Sequence, residues 1–144
     1  PAEIIFNLRI GDIFNARVSG NVINDDITGS MEYACKVAGS KLILVMGHTN
    51  CGAVKGAIDR VELGTLTNLL SKIKPAVDAV DNFDGERTTK NSAFVNAVAR
   101  MNVMQTIENI RETSSVLKEM EENRTIRIIG AMHDIETGKV EFFE

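Results

Sequence analysis

Apolar residues along the chain recur at two periods. In some stretches they fall at every second position or run unbroken, and in others they return every three or four; these are the periods of strands and helices. Residues 1–8 predict a short helix, with Pro1 in the first turn where its missing N–H is tolerated. Residues 12–18 (DIFNARV) alternate and predict a strand, which Ser19-Gly20-Asn21 breaks. Ile27, Met31, Ala34, Cys35 and Ala38 follow helical spacing over 26–38, and Gly39 is placed to cap that helix. Residues 41–46 (KLILVM) are a near-continuous apolar run, the pattern of a strand covered on both faces. A tight loop at 47–50 leads into a helix over 51–60. Longer helical stretches follow at 66–80 and 91–120, separated by the polar connection 81–91 (DNFDGERTTKN). In the second of these Phe94, Val95, Val98, Met101, Val103, Met104, Ile107 and Ile110 keep one apolar side. A strand at 126–129 and a turn at Thr137-Gly138 precede a terminal strand over 139–143.

Strands alternating with helices predict an α/β layer fold with a largely parallel central sheet flanked by helices. Such a sheet ordinarily has a strand feeding its first helix, so a first strand is expected to be missing ahead of residue 1. The expectation is one domain over 1–144, incomplete at its N-terminal side.

Composition narrows the function classes. With 44% hydrophobic and 25% charged residues the chain reads as an ordinary globular domain, long enough to bury a core without disulfides. A net charge of −4 argues against a nucleic-acid or anionic-membrane surface, which needs a basic patch. No apolar run approaches the roughly 20 residues that span a bilayer. Only two cysteines, Cys35 and Cys51, and no visible targeting segment fit a reducing cytoplasm.

The chemistry concentrates in the loop between the strand at 41–46 and the next helix. Ligands of open α/β sheets bind beyond the carboxyl ends of strands. There His48 and Cys51 stand three residues apart, and imidazole nitrogen and thiolate sulfur are both good zinc ligands. Two ligands do not complete a catalytic site, which ordinarily takes three and keeps a fourth position open. A packed histidine and a buried thiol therefore remain an alternative. Gly47-x-x-x-x-Gly52 opens like a phosphate-binding loop, but Ala53 and Val54 follow where Lys and Ser or Thr are needed. A thiol phosphatase would want an arginine a turn after Cys51, and none comes before Arg60; a redox pair would want Cys-x-x-Cys.

GHTNCGAVKGAID at 47–59 resembles the second zinc-ligand motif of β-class carbonic anhydrases. AEIIFNLRIGDIFNARVSGNVIN at 2–24 is similar to the stretch that follows that family's first motif. GSMEYACKVAGSKLILVMGH continues the likeness, and IRIIGAMHDIETGKVEFF resembles the closing strands. The resemblance implies a zinc enzyme hydrating carbon dioxide to bicarbonate, with His48 and Cys51 matching the second and third ligands. The family's first ligand, and the Asp–Arg pair that orients the zinc-bound water, belong to a Cys-x-Asp-x-Arg motif that this sequence does not contain. The Gly52 amide is expected to help place an oxygen of substrate or product, against close packing of strand on helix as the plain alternative. A homodimer or higher homo-oligomer is implied, with residues around 12–24 contributing to a cleft at the subunit boundary.

Cys35 reads as a buried thiol. His133, where the family commonly has an aromatic, reads as a strand residue with a satisfied ring, and Asp134 as a turn or ion-pair residue. Two other functions stay open. One is a hydrolase of a carbon dioxide analogue, carbonyl sulfide or carbon disulfide. The other is a non-catalytic or regulatory module of the kind found behind membrane anion transporters.

Overall fold

The computed structural model describes residues 1–143. At its centre lies a sheet of order β1-β2-β3, made of β1 (Leu42–His48), β2 (Arg127–His133) and β3 (Val140–Phe143). β1 and β2 pair in parallel from Leu42 opposite Arg127 to His48 opposite His133. β3 returns antiparallel, from Gly130 opposite Phe143 to His133 opposite Val140. The sheet is thus small and mixed, within the α/β class that the sequence predicts.

A parallel pair needs a long crossover. Here it carries α3 (Gly52–Ile58), α4 (Gly64–Ser71), α5 (Lys74–Ala79), α6 (Ser92–Thr113) and α7 (Ser115–Glu122). Ahead of the sheet come α1 (Ala2–Ile5) and α2 (Asp25–Glu32), the latter continued by a π turn over Tyr33–Val37. Helix starts follow the sequence closely. Asn24 accepts from the Ile27 N–H at 2.9 Å, and Ser114 accepts from the Leu117 N–H at 3.1 Å. Gly39, at φ 84°, ends the second helical segment as a left-handed cap.

The core lies between the sheet and α6. Ile43 and Val45 of β1 and Ile128 and Met132 of β2 are buried, together with Val95, Val98, Val103, Ile107 and Ile110 of α6. The approach is close because two glycines face the helix. A Cβ on Gly47 would lie 2.8 Å from Val103 Cγ2, and one on Gly130 would lie 2.9 Å from Val103 Cγ1 and 2.6 Å from Phe143 Cε2. Val103 therefore occupies a slot between neighbouring strands.

Five expectations need correction. Residues 12–18 form no strand; they run as irregular chain with Phe14 and Val18 exposed. Alternation supplies the side-chain pattern, but a strand exists only where a neighbour takes up its backbone groups, and no described strand lies beside this segment. β1 is fully covered on one face only: Leu42 is 52% exposed, and Leu44, Met46 and His48 are half-buried. An unbroken apolar run does not distinguish buried from half-buried positions. The stretch 91–120 is two helices, because Ser114 leaves the first with extended backbone, caps α7 and donates its hydroxyl to Glu32 Oε1 at 2.6 Å. The stretch 66–80 likewise divides, with Pro75 in the first turn of α5. Met104, assigned to the apolar side, is 44% exposed.

Two predictions follow from this packing. Gly130→Ala overpacks the Val103 slot and is expected to cost about 1–3 kcal/mol, read as a lowered urea midpoint. Separately, Arg111 donates to both Glu121 oxygens, at 2.7 and 2.8 Å, and those hydrogen bonds hold the Glu121 carboxyl below its ordinary value. A depressed carboxylate stabilises the fold above its unfolded value of 4.5 and loses that contribution as pH falls. Glu121→Gln should therefore lower stability at pH 7, and the difference from the parent should shrink below about pH 4 in urea titrations.

Candidate metal centre at the carboxyl ends of the strands

β1 and β2 end side by side, and the turn after β1 is fastened to the end of β2. The Thr49 N–H donates to the His133 carbonyl at 3.0 Å, and Thr49 Oγ1 accepts from the Ile135 N–H at 3.1 Å. The Asn50 N–H donates to Asn96 Oδ1 of α6 at 2.9 Å, and Asn50 takes a left-handed backbone, φ 57°. The chain then enters α3 with Cys51 at its N-cap, in extended backbone and 4% exposed.

His48 is the last residue of β1 and half-buried. Its Nδ1 lies 2.8 Å from the Thr49 carbonyl oxygen. A carbonyl only accepts, so the proton resides on Nδ1 and the Nε2 lone pair is left for another partner. This is the arrangement that a metal-ligating histidine uses, with a backbone oxygen fixing tautomer and ring orientation.

Beside the turn stands a second strained turn. Gly20, at φ 72°, has no room for a side chain, since a Cβ would lie 2.5 Å from Ile73 Cδ1. Its carbonyl accepts from Asn102 Nδ2 of α6 at 2.7 Å. Asn21 follows at φ 44°, with Oδ1 3.5 Å from the position of a Cβ on Gly47. Its Nδ2 is buried and has no hydrogen-bond partner among the described residues. Asn102 is a structural part of this region that the sequence reading missed. The signal was present: a polar residue, 2% exposed, in the middle of the apolar stripe of α6.

Each remaining candidate finds a place. Gly52 is exposed and nothing lies within 4 Å of where its side chain would be, so close packing does not explain the glycine. Cys35 sits in the π turn, buried in the core, and burial pushes its thiol up. Asp134 is a turn residue as expected, its Oδ1 accepting from the Glu136 N–H at 2.9 Å and the Thr137 N–H at 3.3 Å; those bonds hold the carboxyl below its usual range. His133 is the last residue of β2, as a strand residue should be, but its ring makes no hydrogen bond among the described residues. The expectation of a satisfied ring is corrected there.

For a metal, the donor chemistry fits and the number of donors does not. His48 offers a free Nε2 and Cys51 a sulfur, yet no three His, Cys, Asp or Glu side chains gather to hold an ion among the described residues. A metal at this turn needs another ligand.

A family model for carbonic anhydrase matches residues 1–140. The chain belongs to the β-class carbonic anhydrase family. Carbonic anhydrase 2 of Mycobacterium tuberculosis is 31% identical over 143 residues, which cover 96% of this chain and 66% of the relative. The chain thus spans about two-thirds of the length of such curated relatives. The β-carbonic anhydrase CafA of Aspergillus fumigatus superposes with a TM-score of 0.85 at 25% identity, covering 100% of this chain and 69% of that one. A tetrameric β-carbonic anhydrase of Sordaria macrospora superposes with a TM-score of 0.84 at 23% identity, over 99% of this chain and 74% of that one.

In this carbonic anhydrase fold the Gly20 turn depends on α6 for its hydrogen bond. Asn102→Ala removes the donor and leaves a buried carbonyl unpaired, so a loss of about 1–3 kcal/mol is expected in chemical denaturation. A stability change below a few tenths of that would contradict the assignment.

Proposed function

We propose that this chain carries part of the centre of a zinc-dependent enzyme that reversibly hydrates carbon dioxide to bicarbonate. The observation that carries the reading is the end of β1. His48 is held by the Thr49 carbonyl with Nε2 free, three residues ahead of a buried Cys51, within a chain of this family. His48 and Cys51 would be two of the protein ligands. Zinc, when bound, supplies a Lewis acid that makes water acidic near neutrality.

The chain's own residues do the positioning. The Thr49 carbonyl fixes which nitrogen of His48 faces the ion, and the bonds from Thr49 to β2 hold the turn against the sheet. Gly52, exposed and with nothing within 4 Å of a Cβ position, supports the reading that its amide would help place an oxygen of substrate or product. No Cys-x-Asp-x-Arg motif occurs in the sequence, so an orienting Asp–Arg pair is not among these residues.

Self-association as a homodimer or higher homo-oligomer belongs to the same reading. Ile4, Ile10, Phe14 and Phe142 present large apolar surface, 76%, 97%, 60% and 54% exposed. The reading places the protein in the cytoplasm, with two free cysteines and, among the described residues, no helix long and apolar enough to cross a membrane. The shortage of metal donors favours a second reading, a non-catalytic carbonic-anhydrase-like module. A hydrolase of carbonyl sulfide or carbon disulfide would use the same ligands.

Stopped-flow carbon dioxide hydration on the zinc-loaded protein separates these. The enzyme reading predicts turnover that chelation abolishes and that His48→Ala lowers by about a hundredfold or more. Absence of turnover with zinc bound would favour the module. Faster consumption of carbonyl sulfide than of carbon dioxide would favour the analogue hydrolase.

A further inference from the structure

Between the end of β1 and the start of α3 the chain is tied down residue by residue until Cys51. His48 Nδ1 donates to the Thr49 carbonyl at 2.8 Å, the Thr49 N–H donates to the His133 carbonyl at 3.0 Å, and the Asn50 N–H donates to Asn96 Oδ1 at 2.9 Å. The first bond is local and the second extends the sheet. The last is made by a side chain of another element, α6.

Cys51 has no such tie of its own. Its side chain caps no N–H of α3, and the residue is 4% exposed. The direction of its sulfur is therefore set by the backbone that delivers it. That backbone turns at Asn50, which sits at φ 57°, a left-handed conformation that asparagine tolerates better than most side chains but that still costs free energy. Asn96 is half-buried on α6, about two turns ahead of Val103, whose seat against Gly47 and Gly130 fixes the depth of the helix. Its amide oxygen is thus a fixed acceptor held beside a strained turn.

We propose that Asn96 is a positioning residue for the metal centre: by accepting the Asn50 N–H it holds Asn50 in the left-handed conformation and so aims the Cys51 sulfur. The inference rests on the reading of Cys51 as a zinc ligand, and it names what aims that ligand, as the Thr49 carbonyl aims His48. Asn96 acts through the backbone of Asn50 and not as a ligand. What the role requires is the acceptor oxygen. Asn96→Asp keeps it, and Asn96→Ala removes it.

The test compares the full-length parent with Asn96→Ala, Asn96→Asp and Cys51→Ala, each first checked by circular dichroism and urea unfolding. Zinc affinity is measured by competition with a chromophoric chelator. In metal-free protein, alkylation of each cysteine by iodoacetamide is followed by peptide mass spectrometry, with Cys35, buried in the core, as the internal control. In Asn96→Ala zinc affinity is expected to fall at least about tenfold. Cys51 should be alkylated at least about fivefold faster while Cys35 keeps its parent rate. Asn96→Asp should stay near the parent in both readouts. Zinc affinity and Cys51 alkylation both unchanged in Asn96→Ala would overturn the role of Asn96 and leave Cys51 as a ligand. Equal acceleration at Cys35 and Cys51, without recovery in Asn96→Asp, would also overturn it, since general loosening of the core gives that result. Parent zinc affinity no higher than that of Cys51→Ala would overturn the reading of Cys51 itself. The contrast between the two thiols would then still decide whether Asn96 holds the turn, so the two failures are distinguishable.

Discussion

Val103 wedged against Gly47 and Gly130 is the contact on which the rest of the arrangement depends. A Cβ at either glycine would fall inside 3 Å of the valine's methyl groups, so only two glycines on adjacent strands admit the helix at this depth. The close approach buries Val95, Val98, Ile107 and Ile110 of α6 over Ile43, Val45, Ile128 and Met132. The same approach fixes α6 where Asn102 reaches the Gly20 carbonyl and Asn96 receives the Asn50 N–H. One helix thus braces both turns at the carboxyl ends of the strands. Packing energy is converted into the placement of His48 and Cys51, which no local preference of the loop would supply.

Much of this was legible from the letters. The unbroken run before Gly47, the break at Ser19-Gly20-Asn21 and the His-x-x-Cys spacing located the strand end and the turn that carries His48 and Cys51. What failed did so for definable reasons. Residues 12–18 have a strand's alternation without a strand's neighbour, and pairing is a tertiary property that no side-chain pattern contains. Ser114 divides a long apolar period because its hydroxyl reaches Glu32, a partner 82 residues away in sequence. The neighbourhood of His48 and His133 was equally hidden, since it arises from a register across the whole crossover.

The candidate centre shows the same division of labour between local and distant sequence. The tautomer of His48 is set by the residue next to it, and the turn is held by the far end of β2. The orphaned amide of Asn21 is the one buried polar group in this region that neither source satisfies among the described residues. Unpaired buried donors are rare in folded proteins, and one beside a turn with an available imidazole and thiol marks the region as built for something besides stability.

Zinc K-edge X-ray absorption on the zinc-loaded chain tests the central claim most directly, because it reads the atoms around the ion. The account predicts sulfur at about 2.3 Å together with imidazole nitrogen at about 2.0 Å. A shell of oxygen alone, without sulfur or imidazole scattering, would mean that the end of β1 is not a metal centre.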